Sequence, residues 1–367
     1  MTTVTSDILI IGGGIAGLSA GALLAEHARV HLIEAEDQLG THSTGRSAAM
    51  YITSYGPPVV RAMTKLAGPA FHNYQEITDT PLLSPRGEMV TAREDELDLL
   101  NDLIEANDVV ERLDFEEARR IVPILDESRI VAAGYEAGAA DIDVDALFQG
   151  YIRMFKARGG DISTGCRSSK ITKVGDSWRV ETENGSVFEA PLVINAAGAW
   201  ADVVAEMAGL RPRGIQPKRR SAVLIPPPDG HDISTWPLVA SAKEEWYCRP
   251  NAGLLMVSPA DQDPVPPHDV WPDDMVLAEG IHRFETDTMA KVTRVEHRWA
   301  GLRSFAPDGN PVIGFDDEGE GFFWLAGQGG YGIQTSPSMA MLTTDLCLGR
   351  KPQPDADIVA SLSPARC

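Results

Sequence analysis

The chain has 367 residues, 43% hydrophobic and 23% charged, ordinary values for a globular protein and more than one simple core holds. Its formal charge of −21 argues against nucleic acid and anionic membrane surfaces, both of which are recognised through Lys and Arg. The four cysteines (Cys166, Cys248, Cys347, Cys367) show no metal-ligand spacing and suit free thiols in a reducing, cytoplasmic setting.

The first apolar run, DILIIGGGIAGLSAGALLA, starts at Asp7. Its early glycines and the polar flank AEHARVHLIE favour strand, turn and helix over a membrane span. Val30–Glu34 follows as a second strand, which makes a βαβ start and predicts a parallel sheet. A helix is predicted from Pro58 to about Tyr74, and strand with turns over Leu82–Thr91. The acid-rich stretches EDELDLLNDLIEAN and DFEEARRIVP carry apolar residues at helical spacing, their charges forming solvated faces. DVDALFQGYIRMFKARGG reads as a helix closed by Gly159-Gly160. Then DISTG, KITKVGDSWRVETENG and SVFEAPLVINAAG read as β structure, and Gln216–Ser258 as mostly antiparallel strands. A Pro/Asp-rich loop over 264–274 leads to a helix ending near Thr286. HRWAGLRSFAPDGNPVIG and GFFWLAG are predicted strands, and SPSMAMLTTDLCLG the final helix.

Gly12, Gly14 and Gly17 form G-x-G-x-x-G between the first strand and its helix, and Glu34 ends the next strand. In that setting the first glycine makes the tight turn and the second lets backbone N–H groups approach a pyrophosphate. The third lets helix and strand pack closely, and the acid accepts from ribose hydroxyls. An adenine dinucleotide follows, with NAD and FAD both open at this point. There is no second fingerprint for a nicotinamide cofactor. VINAAGAW brings small residues to a strand end, and GQGGYGIQTS places four glycines before the last helix, whose N-terminus suits the negative charge of a reduced flavin. FAD is therefore the expected cofactor.

The segments STGRSAAMY, PLLSPRGEMV, AADIDVDAL, VINAAGAW, QPKRRSA, WAGLRSF and QGGYGIQTS, in this order, resemble the FAD-dependent D-amino-acid oxidase superfamily. Within it they are most similar to the bacterial D-arginine dehydrogenases. The resemblance runs from about Asp7 to Gly349. It implies an α/β fold with a Rossmann-like FAD-binding domain and a substrate domain with a mixed or antiparallel sheet. The expected division is 1–80, 145–215 and 300–367 for FAD, and 81–144 and 216–299 for substrate. The implied reaction is oxidation of a D-amino acid to its imino acid by hydride transfer from Cα to flavin N5, then hydrolysis to a 2-oxo acid and ammonia.

Carried over by position, the FAD contacts are Gly12, Gly14, Ala16, Gly17, Glu34 and Ala35, then Ser43, Thr44, Gly45, Arg46 and Ser47 along the diphosphate, with Ala49 and Met50. Ser168 and Gly198 follow, and Gly330, Tyr331, Gly332, Ile333, Gln334 and Thr335 face the flavin pyrimidine edge. Arg303 corresponds to the arginine that clamps the α-carboxylate, a task suited to a planar bidentate donor, with Arg220 as a second contact. Tyr55 and Tyr247 correspond to tyrosines over the substrate, and Glu88 to the carboxylate that recognises a cationic side chain. Gly301, Gly330 and Gln334 complete the substrate contacts, and Met50–Tyr55 is expected to be a mobile wall. Each charged or aromatic residue also has a plainer reading: Glu88 paired with Arg86, Arg303 with Asp308, Tyr247 in the core beside Trp246.

The chain departs from the D-arginine enzymes at Met50, where they carry His, and at Ile52, where they carry Thr. Apolar groups there leave room for a less polar or bulkier substrate. A secondary-amine or N-methyl amino acid oxidase of the sarcosine or glycine type is the alternative, and a flavoprotein that keeps FAD for structure is a further one. In the first alternative the flavin is often covalently attached; His42 is the one conceivable anchor, and non-covalent FAD is expected. The expected partners are a small amino acid or amine and an electron acceptor the sequence does not identify.

Overall fold

In the computed structural model, which describes residues 3–228 and 230–367, the strand Ile8–Ile11 is buried at all four positions, as a strand covered on both faces must be. It pairs in parallel with Val30–Ile33 on one side and Leu192–Asn195 on the other. Asp161–Ser163, Phe322–Ala326 and the antiparallel edge strand Val312–Phe315 complete a six-stranded sheet. Side chains alternate across it. Ile8 and Ile10 join a core with Leu18, Phe155 and Met339 from the helices Ile15–Leu24, Val144–Ala157 and Ser336–Cys347. Leu9 and Ile11 join a second core with Trp178, Phe188 and Val204, beneath the helix Ala201–Met207 and a four-stranded sheet.

The second large sheet has eight strands in the order His297–Phe305, Gln216–Ile225, Leu254–Ser258, Tyr247–Asn251, Leu238–Ser241, Glu88–Ala92, Ala132–Glu136 and Glu111–Asp114. The strands between Gln216 and Ser258 pair antiparallel, as their sequence suggests. Leu238–Ser241 also makes one parallel joint, to Glu88–Ala92. On the face covered by the helices Phe115–Ile121 and Asp274–Asp287 lie Met89, Val223, Trp246 and Cys248, packed with Phe284 of the second helix. Strand alternation turns their neighbours Glu88, Arg220 and Tyr247 to the opposite face.

A three-stranded sheet joins the two halves: Met50–Tyr51 and Leu83–Pro85 both pair with Ala140–Ile142. The helix Ser336–Cys347 is not the last one, because a further short helix covers Ala356–Leu362 and seals the first core with Leu362. Among the described residues no helix is long and apolar enough to cross a membrane.

Candidate active site

A cavity of about 510 Å³ runs from the carboxyl ends of the parallel strands to the uncovered face of the eight-stranded sheet. Its first part is shaped by absent side chains. Gly12 has φ +115, and a Cβ there would lie 2.4 Å from the carbonyl oxygen of Ala196. A Cβ on Gly17 would lie 2.1 Å from the carbonyl of Gly12, so Gly17 acts by letting the helix touch the strand and is not in the cavity wall. Gly12, Gly14 and Ala16 do line it, with Glu34 and Ala35. The Glu34 carboxylate accepts from the backbone N–H of Gly13 at 2.7 Å and of Glu36 at 2.9 Å, which fixes both turns and leaves further lone pairs.

Ser43, Thr44, Arg46, Ser47 and Ala49 line the middle of the cavity. Thr44 Oγ1 accepts from the N–H of Ile15 at 3.0 Å, and Ser43 Oγ donates to the carbonyl of Leu302 at 2.7 Å. The Arg46 guanidinium is engaged away from the glycine turn: it donates to the carbonyls of Val270 and Ala300 and pairs with Asp269. Gly45 also stays out of the wall: its N–H donates to Gly40 O, and a Cβ would lie 2.7 Å from that oxygen, so it serves the turn.

The residues around the first part fit an adenine dinucleotide. The helix Ile15–Leu24 has an extended Gly14 at its N-cap and no cap from that residue's side chain, and although Thr44 takes the Ile15 N–H, the remaining first-turn donors are left for an anion. Ser168 Oγ and Gln328 Nε2 line the cavity as buried polar atoms with no partner among the described residues, a condition a bound polar group would relieve. Gly198, Gly330, Gly332, Ile333 and Gln334 line it too, ahead of the uncapped helix Ser336–Cys347. Tyr331 and Thr335 do not. Tyr331 packs on Tyr55 and Phe305, and Thr335 turns its hydroxyl back to the Tyr331 carbonyl.

The second part of the cavity is walled by half-buried charge. Arg303 and Arg220 both face it; Arg303 Nη1 donates to the Tyr55 hydroxyl at 3.5 Å, and Arg220 lies 5.9 Å from the Tyr247 ring centre. Neither arginine has a carboxylate partner among the described residues: Asp308 is taken by Arg366, and Arg220 Nε donates to the backbone of Asp261. Burial and then the like charge of Arg303 lower the pKa of Arg220. Burial by itself would raise the Tyr247 phenol, but Arg303 and Arg220 overcome it and hold the phenol below its ordinary range. Gly330 makes room for this group, since a Cβ there would lie 2.7 Å from Arg303 Nη1. Gly301 sits beside it in the wall.

Glu88 also opens onto the cavity, 8% exposed. Arg86 is not its partner, because Arg86 reaches Asp141 at 2.7 Å. Burial first, and then the neighbouring charge of Glu136, push the Glu88 carboxyl up to about 8. Met50 and Ile52 pack with Ala139 and Leu238 as an apolar strip next to Tyr55 and Tyr247. The Met50–Tyr55 segment is not a free flap. Met50–Tyr51 is paired as a strand, the Ile52 N–H donates to Gln334 Oε1 at 3.1 Å, and Thr53 and Ser54 donate to Glu136. Sequence reasoning missed Glu136, Glu244 and Gln328. Gln328 stood inside the quoted glycine stretch, but nothing local marks the other two, whose neighbours come from distant strands.

This geometry matches what comparison with known proteins finds. Residues 7–346 match the family described as FAD dependent oxidoreductase (DAO), and the chain belongs to that family. FAD is accordingly its cofactor. The FAD-dependent oxidoreductase domain-containing protein 1 of Bos taurus is 23% identical over 94% of this chain and 81% of its own length. The glycine oxidase of Bacillus licheniformis is 23% identical over 94% and 93%. Among solved structures, glycine oxidase from Geobacillus kaustophilus aligns over 100% of both chains (24% identity, TM-score 0.85). L-proline dehydrogenase from P. horikoshii aligns over 100% and 98% (23% identity, TM-score 0.85). At such identities these structures share the fold alone.

Proposed function

We propose that the chain oxidises the Cα–N bond of a free D-amino acid with a cationic side chain, of the D-arginine or D-lysine type. One observation carries this reading: the same cavity is lined by two arginines with no carboxylate partner among the described residues, Arg303 and Arg220, and by two carboxylates, Glu88 and Glu244. A zwitterion bearing a second positive charge satisfies both. In the proposal Arg303 takes the α-carboxylate in bidentate fashion with Arg220 beside it, and Glu88 takes the distal cation. Tyr55 and Tyr247 cover the substrate and exclude water, while Gly301, Gly330 and Gln334 present backbone or amide groups to it. When bound, FAD supplies the two-electron acceptor for the hydrogen leaving Cα.

The cofactor would be held by Gly12, Gly14, Glu34, Ser43, Thr44, Ser168, Gly330, Gly332, Ile333 and Gln334. Non-covalent attachment is part of the proposal, supported by His42 being engaged with Glu36 at 3.2 Å, its ring tilted against that of Trp200. The same applies to the division into an FAD part (1–80, 145–215, 300–367) and a substrate part (81–144, 216–299), with the strand His297–Phe305 crossing the line at 300. A cytoplasmic location accords with the four free thiols.

The test is anaerobic bleaching of the holoenzyme flavin by a panel of D- and L-arginine, D- and L-lysine, D-leucine, glycine, sarcosine and L-proline. D-Arginine and D-lysine are expected to bleach fastest. The second reading, a small or secondary amine, is favoured by the apolar strip of Met50, Ile52, Ala139 and Leu238, and it wins if glycine, sarcosine or proline bleaches first. Admitting air then separates an oxidase from a dehydrogenase, and acid denaturation shows whether the yellow colour leaves the chain.

A further inference from the structure

Glu88 and Glu136 face each other directly, as register partners on adjacent antiparallel strands, and are only 8% and 3% exposed. The two carboxylates are treated very differently. Glu136 Oε1 accepts from the N–H of Thr53 at 3.0 Å and from its hydroxyl at 2.7 Å, and Oε2 accepts from the N–H of Ser54 at 3.1 Å. Three donors suit an ionised carboxylate. Glu88 has a single long contact, from Ser54 Oγ at 3.5 Å.

The other groups around Glu88 do not neutralise the pair. Glu244, from the turn after Leu238–Ser241, adds a further negative charge, and Leu238 is the partner across the parallel joint. Tyr51 lies near Glu136 and is pushed up by burial and then by that charge. Two arginines of this region, Arg86 in the turn before Glu88 and Arg249 in the strand Tyr247–Asn251, are both held by Asp141. With Glu136 committed to its donors, Glu88 is the member of the pair that takes a proton when the cavity holds no cation.

We infer that Glu136 is a positioning residue with two linked tasks: it pins Thr53–Ser54, and with them the wall bearing Ile52 and Tyr55, and it makes capture of a cationic side chain cost the release of one proton from Glu88. The inference rests on the substrate reading above. In the binding step the guanidinium or ammonium pairs with the Glu88 carboxylate, and the proton that Glu88 carried passes to solvent. Selection between cationic and neutral amino acids thereby becomes a function of pH, while the α-carboxylate clamp is the same for both.

The experiment follows the ratio of kcat/KM for D-arginine over D-leucine from pH 6 to 9, in the wild-type holoenzyme, Glu136→Gln and Glu88→Gln. Taking the ratio cancels the common need for a neutral α-amine. The wild-type ratio should rise about tenfold per pH unit and level off near pH 8. Glu88→Gln should flatten it, and Glu136→Gln should move its break downward by about one unit. A flat wild-type ratio overturns the inference. So does a Glu136→Gln enzyme that loses both substrates equally with the break in place, for then Glu136 only holds the wall. If no cationic amino acid bleaches the flavin, the substrate reading falls separately, and the infrared band of the protonated carboxyl still decides the pair. A band that titrates near pH 8, is missing in Glu88→Gln and moves down in Glu136→Gln sustains it; its absence in the wild type ends it.

Discussion

Gly12 and Arg303 line the same cavity for opposite reasons. Around Gly12 the wall is made of backbone, and a single methyl group would collide with the carbonyl of Ala196. Around Arg303 it is made of long charged side chains, half-buried with no carboxylate partner among the described residues, so that what enters can satisfy them. On the proposed reading the cofactor part would be specified by what is missing and the substrate part by what is left unpaired.

The sharpest way to break this contrast is Gly17→Val. Its side chain would begin 2.1 Å from the Gly12 carbonyl, inside the contact that joins helix to strand. The cost should be about 3 kcal/mol or more, and the purified chain should retain under about a tenth of the wild-type flavin absorbance. Next comes Arg303→Ala, which leaves a substrate carboxylate without its partner. It should lower kcat/KM by about 10³, roughly 4 kcal/mol, with KM raised and kcat lowered, while flavin content stays at wild-type level. Unchanged steady-state kinetics would remove Arg303 from the site.

Glu88→Leu tests the carboxylates. It should cost D-arginine about 10- to 100-fold in kcat/KM and D-leucine little, in line with one lost charge-assisted hydrogen bond. Equal losses would contradict a role in cation recognition. Glu88→Gln should also show in stability. The folded carboxyl titrates near 8, above its ordinary 4.5, so wild-type stability at this residue is complete below about pH 4.5 and is lost as pH rises through 8. The variant should therefore melt a few degrees higher than wild type at pH 8.5 and show no gain from this source at pH 4.5. The smallest effect is expected from Tyr331→Phe. Tyr331 lies outside the cavity wall against Tyr55 and Phe305, so flavin retention should change by less than about 0.5 kcal/mol.

The two parts also differed in how far they could be read from the chain. Gly12, Gly14, Gly17 and Glu34 announced the cofactor turn because each acts on residues next to it in sequence or one strand away. Gly45 and the Arg46 side chain, expected at the cofactor only through resemblance, take their orientation from Gly40, Val270, Ala300 and Asp269, partners that no neighbouring residue announces. Glu88, Arg303 and Tyr247 were likewise singled out only through resemblance to known enzymes; the residues alone suggested Glu88 with Arg86 and Arg303 with Asp308. The fold chose Asp141 for Arg86 and Arg366 for Asp308.

Periodicity and glycine spacing were enough to determine the βαβ start and most of the longer helices and strands, because backbone geometry and alternation act over a few residues; the helices Ala201–Met207 and Ala356–Leu362 and the strands Glu111–Asp114, Ala132–Glu136 and Ala140–Ile142 were not read from it. Which charges meet was decided by tertiary structure. Tyr55 reaches Arg303 across 248 positions of chain, and Glu136 comes to lie opposite Glu88 by strand register. A carboxylate's proton and an arginine's partner depend on distance through space and on burial, and neither is written in the residues beside it.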